Sequence, residues 1–315
     1  MGKEKTKTAK KTATMPLVNI GFINNTKIAN QMSDARYPIL VNGKETNFEV
    51  IPEIYTSLKL SLDDDNLVLS SNNITGYDMA VMDAVCTLYE HGCTIFTPAM
   101  LLRMMTGKDS GQTVNEKSAK DITESLNKLM RIVATVDMSR EYVERSLVPP
   151  NSTVKKQGHL LQMNCIQVAI PYHKGFFYGY ELLDEPILYT YAKEMQQVLC
   201  YPVKLLEVEK FNTKETILIK RYLLVRIETM KNARNNVSAK KILYDRIDRK
   251  TGEKTGMFAY LGFLEENYSN WRKKRGAIHN TVCSILDAFI ENAYILNYRI
   301  LKGEKGKTDG VEIIL

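Results

Sequence analysis

No apolar run in this chain approaches the roughly 18–20 residues that a membrane-spanning helix needs, so no membrane partner is expected. The five cysteines (Cys86, Cys93, Cys165, Cys200, Cys283) are odd in number, scattered and without a C-x-x-C pair. That suits a reducing cytoplasm and argues against a disulfide framework. Histidine is scarcer still. The four residues His91, His159, His173 and His279 contain no His-hydrophobic-His pair of the kind with which rolling-circle nickases hold a metal beside a catalytic tyrosine. The seventeen tyrosines therefore read as packing residues and not as nucleophiles. His91 and Cys93 are neighbours with no partner pair at zinc-site spacing. The string Gly303-Glu-Lys-Gly306-Lys-Thr308 lacks the spacing of a phosphate-binding loop, and no helix is expected after it. Asp63-Asp64-Asp65 has no further carboxylate at calcium-loop spacing and reads as a turn between strands. No metal, cofactor or catalytic residue is expected, and the chain is not read as an enzyme.

What is present is positive charge in two places. The formal net charge is +7. Residues 1–15 hold five lysines against Glu4, and residues 238–310 hold fourteen Lys/Arg against nine Asp/Glu, leaving the remainder slightly acidic. Cations gathered in a tail and a C-terminal region, on an otherwise neutral body, are the footprint of a polyanion binder. The lysine-rich start is followed by no apolar h-region, so a secretory signal is not expected. The expected location is the cytoplasm.

Residues 1–15, rich in Lys, Thr and Ala, read as a disordered basic tail. A β-hairpin is expected from Tyr37–Val41 and Glu45–Ile51 around Asn42-Gly43, which suits a type I′ turn. Two longer stretches then follow one plan. In the first, Thr75 with Asp78 caps a helix with Val81, Val85 and Leu88 on its stripe, and Gly92 stops it. Thr97-Pro98 opens a short helix closed by Gly107, and a third spans roughly Ser118–Val133. Strands are expected over His159–Ile170 and Phe176–Leu182. In the second, Asn212 with Glu215 caps a helix, and Ser238 opens a short one to Ile247. A polar loop covers Asp248–Gly256, and a long helix from about Ser269 carries Ile278, Val282, Ile285, Leu286 and Phe289. A hairpin of Tyr294–Leu301 and Val311–Leu315 ends the chain. The expected fold is α+β, with two tandem winged helix-turn-helix domains: residues 16–184, with the extra hairpin, and 185–315.

Placing residues of the long C-terminal helix at about 100° intervals centres its core on Val282 and Phe289 and leaves Lys273, Gly276, Ala277, Asn280 and Ser284 opposite. The small residues allow close approach to a groove floor. Asn280 suits a bidentate pair with adenine, and Lys273 suits guanine or phosphate. Arg272 and Lys274 flank this face at positions suited to phosphate. Trp271 and Arg275 fall on the core side; Trp271 reads as a cap, and Arg275 can snorkel its head towards the DNA backbone. Lys302, Lys305 and Lys307 occupy the tip of the terminal hairpin, where a wing meets phosphates or the minor groove. In the first domain Lys117, Lys120, Lys128 and Arg131 are expected to point away from the core and are weaker DNA candidates, because solvated Lys and Glu at helical spacing usually mark a wet face.

The run Tyr268-Ser-Asn-Trp271-Arg-Lys-Lys-Arg275, then Ile278, Val282 and Ile285-Leu286, then Ala293-Tyr-Ile-Leu-Asn-Tyr298 and a glycine-lysine hairpin ending in Val311-Glu-Ile-Ile-Leu315, resembles the second winged helix of iteron-type plasmid replication initiators. Lys220-Arg221-Tyr222-Leu223-Leu224 fits the opening of the same domain. The likeness covers residues 185–315 by motif and 75–182 by architecture alone. It implies a bacterial, nucleoid- or plasmid-associated protein that binds direct repeats in double-stranded DNA at a replication origin as a monomer, bends and helps open an adjacent A·T-rich segment, recruits a host initiator and helicase, and represses its own promoter as a dimer formed through its N-terminal domain. The alternatives are a winged-helix transcriptional regulator or autorepressor without initiator activity, a nicking enzyme, which the histidines disfavour, and a scaffold for an acidic partner.

Overall fold

The structure, a computed structural model of the 315-residue chain, describes residues 18–31, 40–41, 44–45, 48–50, 57–62, 74–108, 114–169, 176–207, 213–233, 238–250, 252, 254–262, 265–303 and 306–315. The basic tail, Asn42-Gly43, the Asp63–Asp65 run, Asn212 and Lys305 lie outside these residues.

The chain opens with β1 (Ile20–Asn24) and α1 (Lys27–Gln31). β2 (Leu40–Val41) and β3 (Lys44–Glu45) then pair antiparallel, as the expected hairpin requires. The second half of that segment, β4 (Phe48–Val50), instead pairs with β5 (Ser57–Leu62). α2 (Gly76–Glu90) starts on a full capping box. Thr75 Oγ1 accepts from the Asp78 N–H at 3.2 Å, and Asp78 Oδ2 accepts from the Thr75 N–H at 2.7 Å. Such a cap is worth about 0.5–2 kcal/mol. β6 (Ile95–Phe96) leads to α3 (Pro98–Thr106), which has Thr97 as N-cap, Pro98 in its first turn and Gly107 as a left-handed C-cap at φ 70°. A Cβ on Gly107 would lie 2.6 Å from the backbone nitrogen of Glu207, so both the turn and the close approach need glycine.

α4 (Glu116–Arg131), capped by Asn115, buries Ile122, Leu126 and Leu129 and runs without a loop into β7 (Ile132–Asp137). After α5 (Ser139–Glu144) come β8 (Lys155–His159) and β9 (Met163–Ala169). The strand expected over 159–170 is β9, which starts at Met163, while His159 ends the separate strand β8. β8 joins β4, β5 and β7 in a four-stranded sheet, while β9 pairs with β10 (Phe176–Leu182). The order β6-β10-β9 places the first strand beside the second strand of the wing, the arrangement of a winged helix, with β7 and β8 inserted ahead of the wing.

α6 (Ile187–Glu194) follows the expected domain boundary, yet its Leu188, Tyr189 and Tyr191 sit in the first hydrophobic core. β11 (Val198–Pro202) pairs antiparallel with β1, Ile20 opposite Pro202, and together these strands form a seam between the two cores. A 3-10 turn at Val203–Leu206 leads to α7 (Lys214–Lys231). Its N-cap is Thr213, whose hydroxyl accepts from the Thr216 N–H at 3.2 Å, one residue beyond the expected Asn212.

The segment expected as a short helix from Ser238 is instead β12 (Ala239–Leu243), antiparallel to the last strand of the chain. Ile242 is buried and its neighbours Lys241 and Leu243 are not, so a short alternating run gains more from sheet pairing than from an isolated turn of helix. β13 (Arg246–Ile247) and β14 (Lys254–Thr255) form a hairpin where a polar loop was expected. α8 (Met257–Leu261), α9 (Glu265–Lys273) and α10 (Arg275–Glu291) follow. The expected single helix from Ser269 is therefore two helices, broken at Lys274 (φ −85°, ψ 10°). β15 (Asn297–Lys302) and β16 (Thr308–Ile314) complete a sheet of order β12-β16-β15, the same strand order as in the first module. The fold is α+β, and each half carries a helix, a short strand, further helices and a β-hairpin over its own core.

The two halves are joined by a buried ion pair. Arg221 Nε of α7 donates to Asp83 Oδ2 of α2 at 2.6 Å, with the side chains 5% and 7% exposed. The other Asp83 oxygen accepts from the Asn24 N–H at 3.1 Å, and Arg221 also donates to the Tyr260 hydroxyl and the Asn24 carbonyl.

Candidate nucleic-acid interface

The second core fixes one side of α10 through Ile278, Val282, Ile285, Leu286 and Phe289, all buried. At roughly 1.5–3 kcal/mol for each such side chain, this stripe sets the rotation of the helix. Gly276, Ala277 and Asn280 consequently face solvent. The Asn280 side chain makes no hydrogen bond among the described residues and stands available to a base edge. Ser284 is half-buried, and its hydroxyl donates to the Asn280 carbonyl at 3.0 Å, so its own helix already engages it.

The basic run lies across the α9–α10 junction, and the four cations have different surroundings. Arg272 is exposed and pairs with Asp245 at 3.1 Å. Lys274 pairs with Glu215 of α7. Arg275 is half-buried: its Nε donates to the Thr308 carbonyl at 2.7 Å, and a terminal nitrogen donates to Asp309 Oδ1 at 3.1 Å. Its guanidinium lies 5.5 Å from the Phe258 ring centre and 5.8 Å from that of Tyr244. Arg275 therefore ties the wing to the helix, and its head goes to the hairpin strand. Lys273 is exposed and carries no ion pair among the described residues. Trp271 packs against α8, where a Cβ on Gly262 would fall 2.3 Å from the indole Cδ1. Its position on the core side of the junction matches the helical-wheel reading.

Arg272, Lys273, Arg275, Lys307 and Asp309 line one open groove of about 600 Å³ between the junction and the wing. Four cations and one carboxylate, that carboxylate held by Arg275, make a surface suited to phosphate. Lys302 and Lys307 are exposed on the wing. On the flank of α10, His279 Nδ1 lies 2.7 Å from the Tyr244 hydroxyl, and burial lowers its pKa, so the ring is a neutral packing group near pH 7.

In the first module Lys117, Lys120 and Arg131 are exposed along α4 beside Glu116 and Glu124, a mixed-charge face. Lys128 does not point away from the core. Its Nζ reaches Asp78 Oδ2 at 2.8 Å, and its side chain is only 14% exposed, so it neutralises the carboxylate of the α2 capping box. A helical wheel gives the direction of a long side chain but not the buried anion within its reach. The β13–β14 hairpin, with Arg246, Arg249, Lys250 and Lys254 exposed, was missed as a structured element. The usable signal was Asp248 to Gly252: the Gly252 N–H donates to the Asp248 carbonyl at 2.9 Å, and Gly252 has φ 73°.

No protein-family model matches the chain. No curated protein matches it either, so neither comparison assigns it to the iteron-type initiators. Among solved structures, the selenomethionine form of domains 2 and 3 of RctB aligns over 92% of this chain and 97% of that one, at 13% identity and a TM-score of 0.47. Another RctB domains 2–3 structure aligns over 91% and 96%, at 12% identity and a TM-score of 0.46. The likeness is too distant to bear on what this chain binds. Among the described residues, no helix is long and apolar enough to cross a membrane.

Proposed function

We propose that the chain is a sequence-specific DNA-binding replication initiator that occupies repeats at an origin. The observation that carries this reading is the groove between the α9–α10 junction and the wing, lined by Arg272, Lys273, Arg275 and Lys307, beside an exposed helix face of Gly276, Ala277 and Asn280. A winged helix places such a helix in the major groove and such a wing on the flanking backbone. Base contacts at Asn280 and Lys273 would supply specificity, and the remaining cations would supply register and affinity. Origin opening would be mechanical: binding at several repeats offsets a bending cost of about 1–6 kcal/mol per site. No catalytic step or cofactor is part of this reading.

Recruitment of a host initiator and helicase, and a plasmid setting, rest on the sequence resemblance. Dimerisation through the first module has support in its wing sheet. Ile95, Ile166 and Phe177 share one face by strand register and are 61%, 42% and 51% exposed. A transcriptional regulator would use the same groove, since stable promoter occupancy needs the same contacts. Footprinting on supercoiled DNA carrying the repeats, combined with permanganate probing of the adjacent A·T-rich segment, separates the two. Protection with strand opening is expected of an initiator. Protection with no opening would favour the regulator, and no protection would sink both.

A further inference from the structure

The β13–β14 hairpin stands between the first strand and the second helix of the C-terminal winged module, where a short turn would suffice to connect them. Its described carboxylates are turned to internal partners. Asp245 accepts from the Tyr268 hydroxyl and pairs with Arg272, and Asp248 Oδ1 accepts from the Lys250 N–H at 2.7 Å. Arg246, Arg249 and Lys250 are all exposed, so the outward surface of the hairpin is cationic, although the segment as a whole is nearly neutral.

The placement is fixed by side chains at its base. Lys254 Nζ lies 4.6 Å from the ring centre of Tyr268 on α9, and Asp245 binds both Tyr268 and Arg272 one helical turn apart. Arg272 lines the basic groove. Arg275, which also lines it, binds Thr308 and Asp309 of the wing. The α9–α10 junction is thus tied to two β-hairpins, each attached through an arginine–aspartate pair and each carrying exposed cations.

We propose that β13–β14 is a second phosphate clamp, which leaves the sheet beside the start of β16, where the Tyr244 N–H donates to the Asp309 carbonyl, and grips a stretch of duplex backbone other than the one met by the wing. This inference rests on the DNA-binding reading above and extends its footprint. A surface whose described acids have internal partners, and whose base is tied through Asp245 to Arg272 of a phosphate groove, fits the regular negative charge of a duplex. The exposed Ile247, at 64%, is the apolar member of this hairpin. It stands beside Arg246 and can rest on the sugar edge.

The test uses the full chain and a repeat-bearing duplex. The variants are Arg246→Ala/Arg249→Ala/Lys250→Ala and, separately, the tip pair Arg249→Glu/Lys250→Glu. A control removes the exposed first-module cations Arg140, Arg145 and Lys155. The triple variant should lower the magnitude of the log affinity–log salt slope by about 2–3, on the basis of ~0.9 per phosphate. It should also erase hydroxyl-radical protection at one edge of the footprint and leave the wing edge protected. The reversal pair should lose the same edge, and the control should keep it. Wild-type binding with slope and footprint unchanged in both hairpin variants would overturn the clamp and leave the DNA reading intact. Absence of wild-type binding to any duplex at low salt would overturn the DNA reading and the clamp with it.

Discussion

Arg221→Met should be the most damaging single change in the seam between the modules. It would leave the Asp83 carboxylate buried beside the Asn24 N–H with its cation gone, while the Tyr260 hydroxyl and the Asn24 carbonyl each lose a donor. Breaking a buried pair from one side typically costs about 3–5 kcal/mol, because an uncompensated charge stays in a poorly solvated site. Against a total stability of about 5–15 kcal/mol, that is a large fraction. Asp83→Leu should cost a similar amount, by stranding the guanidinium. The double variant Asp83→Leu/Arg221→Met removes both charges and should be less damaging than the sum of the singles by at least ~2 kcal/mol, since neighbours in one network are not additive. Urea denaturation of the four proteins, followed by far-UV circular dichroism and by Trp271 fluorescence, measures this cycle. Trp271 packs against the second core, so the two probes also show whether the modules unfold together. Additive losses, or single losses below about 1 kcal/mol, would refute the claim that this pair locks the two halves.

Lys220 offers a pH test. It is fully buried and donates to the Leu206 carbonyl, and burial lowers its pKa from 10.5 to about 8, with Lys108 adding to the effect. The unfolded chain therefore holds this proton between pH 8 and 10.5 while the folded chain releases it, so the contribution of Lys220 to stability rises with pH across that window. The fall to about 8 corresponds to about 3 kcal/mol. The stability difference between wild type and Lys220→Met should move in favour of wild type by that order from pH 7.5 to 10, and a difference flat with pH would contradict it. On the wing, replacing Lys302, Lys305 and Lys307 by Ala should weaken binding to specific and random duplex alike and reduce the salt slope by about 2–3. Loss confined to the specific site would assign the wing to base readout instead.

Much of the helical framework could be read from local chemistry. The Thr75–Asp78 capping box, Thr97-Pro98 and Gly107 mark ends that short-range hydrogen bonds and left-handed backbone fix, so three or four residues contain the information. The apolar stripe of α10 was equally legible, and with it the exposure of Ala277 and Asn280. What local reading could not supply was pairing over long sequence distance. β12 looks helical until β16, about seventy residues later, offers its edge. β7 is drawn into a sheet with β5 and β8 that no short motif announces. The break at Lys274 falls inside a continuous helical pattern, where Trp271 packs on Gly262 and Arg275 reaches the wing. The different partners of Arg272, Lys274 and Arg275 were hidden for the same reason, since Asp245, Glu215 and Asp309 come from three separate stretches of the chain. Lys273, whose neighbours in sequence are all paired, emerges as the cation of this run most open to DNA only once those partners are known.

The most direct measurement is the affinity of the full chain and of Lys273→Ala/Asn280→Ala for a repeat-bearing duplex and a scrambled one, by fluorescence anisotropy at low and moderate salt. The exposed face of α10 predicts tight, salt-sensitive wild-type binding, and a variant that loses tenfold or more on the repeat, at about 1–3 kcal/mol per base contact, with far less change on the scrambled duplex. Equal losses on both duplexes, or a wild-type chain that leaves both unbound at low ionic strength, would contradict it.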